Sequence, residues 1–252
     1  MFLKIRNFLF GNPRDPFDKE TRRNISLVAF WAWVGLGADG ISSSCYGPEE
    51  AFLALGAHEE LAIYLAIATA ITVFIISYAY TQVIELFPNG GGGYRVATRL
   101  LGRHAGLVSG SALIIDYVLT IAISIASGVD AIFSFLPDEW HGAKMFVAPC
   151  LVGLLALLNL RGMKESIKFL MPIFLGFMVT HIFLIIYGII AHHYGLSALI
   201  PQAVQETNEM KNSMGWIFIF SVFLKAMSMG GGTYTGLEAV SNNVNTLSEP
   251  KV

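Results

Sequence analysis

Three stretches of this chain place oxygen-bearing side chains inside otherwise apolar sequence. The first, W-V-G-L-G-A-D-G-I-S-S-S-C-Y-G-P-E-E-A over residues 33–51, holds Asp39 and the hydroxyls of Ser42, Ser43, Ser44 and Tyr46. Gly35, Gly37 and Gly40 loosen its backbone, and Pro48 removes a backbone donor. In the second, Tyr117, Thr120 and Ser124 stand at i, i+3 and i+7, on one face of a helix. The third, M-S-M-G-G-G-T-Y-T-G-L-E over 227–238, carries Thr235 and Glu238 at i and i+3. Asp39 and Tyr46 are seven apart, two turns along one face if that segment stays helical. The three sets offer hydroxyl and carboxylate oxygens and no imidazole or thiolate cluster. Such ligands suit a hard, weakly solvated monovalent cation better than zinc or copper. The structural alternatives are a Gly-rich packing seam for the first stretch and interhelical hydrogen bonding for the span 3 stripe.

The elements that must position these groups follow from composition. Of 252 residues, 54% are hydrophobic and 13% charged. A soluble domain carries about 25% charged residues, so the chain reads as an all-α polytopic membrane protein whose first partner is the lipid bilayer. The net charge of −2 gives no reason to expect nucleic acid. Cys45 and Cys150 lie in apolar stretches without metal spacing and read as small buried residues, not a disulfide. The N-terminus is basic, but its apolar piece is short and Pro-interrupted, so no cleavable signal peptide is expected.

Residues 1–24 read as a polar cytoplasmic leader, with a short amphipathic helix over 2–10. Span 1 covers 25–55 and is broken in the middle, with non-helical backbone that must be buried in protein or line a cavity. Span 2 covers 61–87 and ends at the P-N-G-G-G-G link of 88–93. Arg95, Arg99 and Arg103 then fall on one face of a short helix over 94–104. Spans 3, 4 and 5 follow at 107–136, 146–160 and 167–192. A polar connection over 195–213 holds a surface helix near 197–208. Span 6 starts near Trp216, breaks over 227–238 and resumes to 247. Lys225, about 14 Å into span 6 at helical rise, is expected to pair with Asp116, Asp130, Glu49 or Glu50.

With the N-terminus inside, thirteen of the sixteen Lys and Arg residues fall on the cytoplasmic side, and Lys144 and Lys211 outside. Two glycine-interrupted spans five helices apart point to an inverted-repeat transporter with a central site at the breaks. Residues 25–252 would then be a transporter domain made of one five-helix repeat plus helix 6. The chain reads as the front half of a longer permease.

The run D-G-I-S-S-S-C-Y-G-P-E-E from Asp39 to Glu50 resembles the helix 1 motif of KimA-type potassium importers. These form part of the KUP branch of the amino acid–polyamine–organocation (APC) superfamily. That motif reads Asp-x-x-Ser-Ser-x-x-Tyr, followed by paired glutamates. F-P-N-G-G-G-G-Y at 87–94 is similar to the family's link between helices 2 and 3. T-G-L-E-A-V-S-N at 235–242 is similar to its helix 6 motif, Thr-Gly-x-Glu-Ala. Ala38 stands where the more distant KUP pattern has Gly before the acid. The resemblance implies a LeuT-type inverted-repeat fold, helices 1–6 only, with helices 1 and 6 broken at mid-membrane. It implies proton-coupled potassium symport, a homodimer when full length, and no cofactor beyond the transported potassium ion and proton. It implies a bacterial inner membrane location as a multi-pass cell membrane protein. It makes Asp39, Tyr46, Tyr117, Thr120, Ser124 and Thr235 potassium contacts and links Glu238 to the proton.

Two other classes stay in view. A proton-coupled amino-acid permease of the same superfamily needs bare N–H groups for the substrate carboxylate, which an acid at position 39 would repel. An intramembrane hydrolase using the serines at 42–44 lacks a histidine or lysine paired with them in sequence. The expected topology has six spans with both ends cytoplasmic. A cysteine introduced at Leu247 should therefore react with an impermeant maleimide only in inverted vesicles; labelling in right-side-out vesicles would reverse the orientation.

Overall fold

Backbone amides in an apolar segment must find partners within the chain, and the described residues are accordingly almost all helical. The structure, a computed structural model, describes residue 7 and residues 26–248. The expected leader over 1–24, with its helix over 2–10, falls outside the described residues except for Asn7. The helices are α1 Ala29–Leu36, α2 Ala38–Leu55, α3 Ala62–Leu86, α4 Gly92–Val96 and α5 Arg103–Phe133. They continue as α6 Lys144–Arg161, α7 Met163–Ala191, α8 His193–Met229 and α9 Ala239–Asn242. Among the described residues, five helical stretches are long and apolar enough to cross a membrane. The expected first span is not among them because it is divided into α1 and α2. Exposed side chains such as Phe74, Ile114, Phe183 and Ile217 give these helices an apolar surface suited to lipid.

The chain separates into two compact units. One takes Asp39–Ala79 and Phe174–Leu237, and so contains α2, most of α3, most of α7 and α8. Its core joins Ala51, Leu55, Leu61 and Leu65 to Met210, Ile219 and Ala226 of α8. Here α2 packs backbone against backbone. A Cβ at Gly47 would stand 2.6 Å from the Thr233 amide nitrogen, and one at Gly230 would stand 2.6 Å from the Ala51 Cβ.

The other unit takes the described residues up to Ala38, then Tyr80–Ile173, then 238–248. Leu27 and Leu247 form one isolated parallel bridge, with Leu27 N–H donating to Thr246 O at 2.7 Å and Ser248 N–H to Leu27 O at 2.8 Å. The link after α3 turns through Gly90, Gly91 and Gly92, all at positive φ (76°, 92° and 41°). It lies against Asn242, whose carbonyl accepts from Gly91 N–H at 3.1 Å.

Several expectations need correction. The break in span 1 is narrower than expected: only Gly37 separates α1 from α2, and α2 stays helical through Pro48. Serine side chains bond back to nearby carbonyls there, with Ser44 Oγ donating to Ile41 O at 2.6 Å. The arginine stripe does not share one helix. Arg95 sits on α4, Arg99 in a π-turn over Ala97–Leu101, and Gly102 at φ 96° starts a new helix with Arg103. The surface helix is longer than expected and runs from His193 to Gly215, whose φ of 81° ends it before Trp216. Span 6 resumes only as the short α9 and a 3-10 turn, Val244–Thr246. Cys45 and Cys150 are exposed free thiols rather than buried. Lys225 is exposed and forms no ion pair among the described residues, while Asp130 is bound by Lys144 at 2.7 Å.

The Gly47 contact generates a stability prediction. Gly47→Ala forces a methyl into the Thr233 backbone and should cost about 1–3 kcal/mol, read as a lower Tm of the purified protein. Gly153→Ala on α6, where nothing lies within 4 Å of an added Cβ, should leave Tm unchanged or raise it.

Candidate functional site

Helix α2 begins with Asp39 in its first turn, where the unpaired amides of a helix N-terminus favour negative charge. Because α2 is a regular helix, Asp39, Ser43 and Tyr46 follow one another along one face, as their spacing requires. Ser43 is fully buried and acts as the hub. Its Oγ lies 3.0 Å from Asp39 O, 3.0 Å from the Tyr46 hydroxyl and 2.7 Å from Thr235 Oγ1. Thr235 Oγ1 also lies 2.9 Å from Gly232 O, and Ser42 Oγ donates to Asp39 O at 2.9 Å.

Thr235 reaches this hub because the chain leaves α8 in a 3-10 turn, Gly230–Tyr234, and then turns extended at Thr235 (φ −65°, ψ 148°). Gly236 follows at φ 81°, and a Cβ there would stand 2.8 Å from the Asp39 carbonyl carbon. Only glycine combines that conformation with that approach. The backbone between Thr235 and Glu238 is not helical, so the i, i+3 spacing of the two residues falls within the break itself.

The hydroxyl cluster has an informative proton count. Ser43, Tyr46 and Thr235 bring three hydroxyl protons to four close oxygen–oxygen approaches, two of them to carbonyls that can only accept. At least one approach therefore has no proton of its own and must share one.

The remaining expected residues lie in the other unit. Thr120 is buried on α5, with Tyr117 and Ser124 half-buried on the same face. Asn242 Nδ2 donates to the Tyr117 hydroxyl at 2.7 Å. Glu238 is buried, and its carbonyl accepts from Asn242 N–H at 2.9 Å and from Ser241 Oγ at 2.8 Å. Glu238 borders a cavity of about 280 Å³ lined also by Tyr80, Tyr94, Asp116 and Asn242. The structure thus gathers Asp39, Tyr46 and Thr235 in one unit, and Tyr117, Thr120, Ser124 and Glu238 in the other.

Sequence reasoning singled out neither Ser43 nor Asn242 as site residues. Ser43 was open to detection, since it stands four after Asp39 and three before Tyr46. Asn242 was not, because its partners Tyr117 and Gly91 are remote in sequence. Asp116, expected as one possible partner of Lys225, instead lines the same cavity as Glu238.

The sequence profile described as amino acid permease matches residues 27–252. The chain belongs to the amino acid permease family. Potassium transporter KimA of Bacillus subtilis (strain 168) is 34% identical to this chain over 255 residues, which cover 99% of the chain and 40% of that protein. The chain therefore spans 40% of the length of that relative. The match takes in both hydroxyl-bearing motifs and the Gly-rich link, the segments that carry the geometry above. The chain is a multi-pass membrane protein.

The hub residue yields a contrast between neighbouring serines. Ser43→Ala withdraws three close contacts from a buried position and should destabilise the protein by about 1–3 kcal/mol. Ser42→Ala loses one bond from a half-buried site and should cost about 1 kcal/mol or less. Thermal unfolding of the two purified variants measures the difference.

Proposed function

We propose that this chain is the N-terminal part of a secondary active transporter that takes up potassium in symport with protons. The observation that carries this reading is the cluster at Ser43, where Tyr46 and Thr235 bring hydroxyl oxygens from both glycine-interrupted motifs within 3.0 Å of one buried atom. The cation contacts in this reading are Asp39, Tyr46, Tyr117, Thr120, Ser124 and Thr235. Neutral hydroxyls replace part of a hydration shell, and Asp39 supplies the compensating charge. Glu238 carries the coupled proton: a buried carboxyl whose protonation answers to a nearby cation links the two gradients. No cofactor takes part beyond these transported species, and the chain performs no hydrolysis.

In this reading residues 25–252 form the first five-helix repeat of a LeuT-type fold plus helix 6, with residues 1–24 as a cytoplasmic leader. The intact protein is a homodimer in the bacterial inner membrane, with its N-terminus cytoplasmic. The family's description as amino acid permease favours a second reading, uptake of an amino acid with protons. The acid at position 39 argues against it, because it would face the substrate carboxylate.

Uptake of labelled rubidium and of an amino-acid mixture by the intact protein in potassium-deficient bacteria separates the two. Asp39→Ala should abolish rubidium uptake, and Tyr46→Phe should raise KM about tenfold, the equivalent of about 1.4 kcal/mol. Thr120→Val should cost less than loss of the acid. Wild-type affinity in all three would remove the ion site, and amino-acid uptake without rubidium uptake would establish the second reading.

Glu238→Gln holds the side chain in its neutral shape. It should end proton-driven accumulation while preserving rubidium binding. Normal pH-dependent accumulation by that variant would exclude Glu238 as the proton carrier.

A further inference from the structure

Asn242 is engaged at both ends within one unit. Its backbone carbonyl accepts from the Gly91 amide at 3.1 Å, and its side-chain Nδ2 donates to the Tyr117 hydroxyl at 2.7 Å. The first contact lies in the Gly-rich link between α3 and α4, the second on α5. The link is shaped around this residue. A Cβ at Gly90 would stand 2.8 Å from the Asn242 carbonyl oxygen, and one at Gly92 would collide with Asn242 Oδ1. All three link glycines have positive φ, so both conformation and space demand glycine. The Oδ1 atom is itself buried and has no hydrogen-bond partner among the described residues. A buried amide oxygen left in that state is costly. Its retention is understandable if the opposite end of the same amide has a task.

That task follows from the chemistry of the pair. A phenol oxygen that accepts from Asn242 must send its own proton elsewhere, so the amide sets the rotation of the Tyr117 O–H. Leucine of similar size would fill the space without setting that rotation. We propose that Asn242 is a positioning residue that orients the Tyr117 hydroxyl and joins it to the Gly90–Gly92 link, so that displacement of the link is felt at Tyr117. The proposal rests on the reading of Tyr117 as a cation contact for its functional consequence, and on geometry alone for the joint itself.

The intact protein tests both parts. Rubidium uptake kinetics and peptide hydrogen exchange over 88–95 are measured for Tyr117→Phe, Asn242→Leu and the double variant. Asn242→Leu should raise KM about five- to tenfold, the loss of one oriented hydrogen bond, with Vmax within about twofold. The double variant should be no worse than Tyr117→Phe, because one residue acts through the other. Exchange in the link should quicken in both single variants, Tyr117→Phe included. Asn242→Ser, too short to reach Tyr117, replaces Asn242→Leu if the latter fails to fold.

Additive KM effects, or link exchange unchanged in Tyr117→Phe, would overturn the proposal. If Tyr117→Phe leaves the rubidium KM unchanged, the cation-contact reading fails instead. The exchange measurement then still decides whether the joint exists: faster exchange supports it, and unchanged exchange overturns it.

Discussion

Backbone that leaves a helix inside a bilayer has no water to bond with, and everything at the two glycine-interrupted stretches follows from that constraint. Each irregular segment is satisfied by a neighbour within its own unit. In one unit the segment after α8 lies against α2, where Gly47 and Gly236 permit backbone contact and Thr235 enters the Ser43 cluster. In the other, the Gly-rich link bonds to Asn242, while Leu27 bonds through its amide to Thr246 and through its carbonyl to Ser248, on either side of its bridge partner Leu247. Glycine serves both needs at once, reaching positive φ and leaving room for a second backbone.

The same constraint explains why the candidate site is built from hydroxyls. A serine or threonine on a spanning helix normally returns its proton to a carbonyl three or four residues back, as Ser42, Ser44, Thr72 and Thr180 do here. Ser43 does this towards Asp39 and also meets Tyr46 and Thr235. The extra approaches set it apart from its neighbours in one run of three serines. The cluster's hydroxyl protons are fewer than its close approaches, and Asp39 stands one turn away on the same helix.

Charges outside these clusters behave more simply. Asp130 lies near the end of α5, where Lys144 at the start of α6 can reach it, so proximity across a short turn supplies its partner. From its depth in span 6, Lys225 is expected to form an ion pair. It instead sits on an exposed face of α8. The arginines after the link were expected on one stripe because the spacing is helical. Gly102 at φ 96° resets the helix and moves Arg103 onto α5, with Arg99 left over the Phe87 ring.

Sequence alone determined the helical class, the location of nearly all spans, and the chemistry of the motif residues. Apolar length and charge placement act locally and leave their mark in composition. It also determined that Asp39 and Tyr46 share a face, because helical periodicity carries that relation within one uninterrupted element. Tertiary structure decided where each break falls and how narrow it is, since Pro48 stays within a helix while Gly37, Gly215 and Gly236 do not. It also decided that Ser43 is the hub and that Asn242 holds Tyr117, contacts spanning 192 and 125 residues. No periodicity connects residues so far apart. Only the packing of one backbone on another brings their oxygen and nitrogen atoms within hydrogen-bond reach.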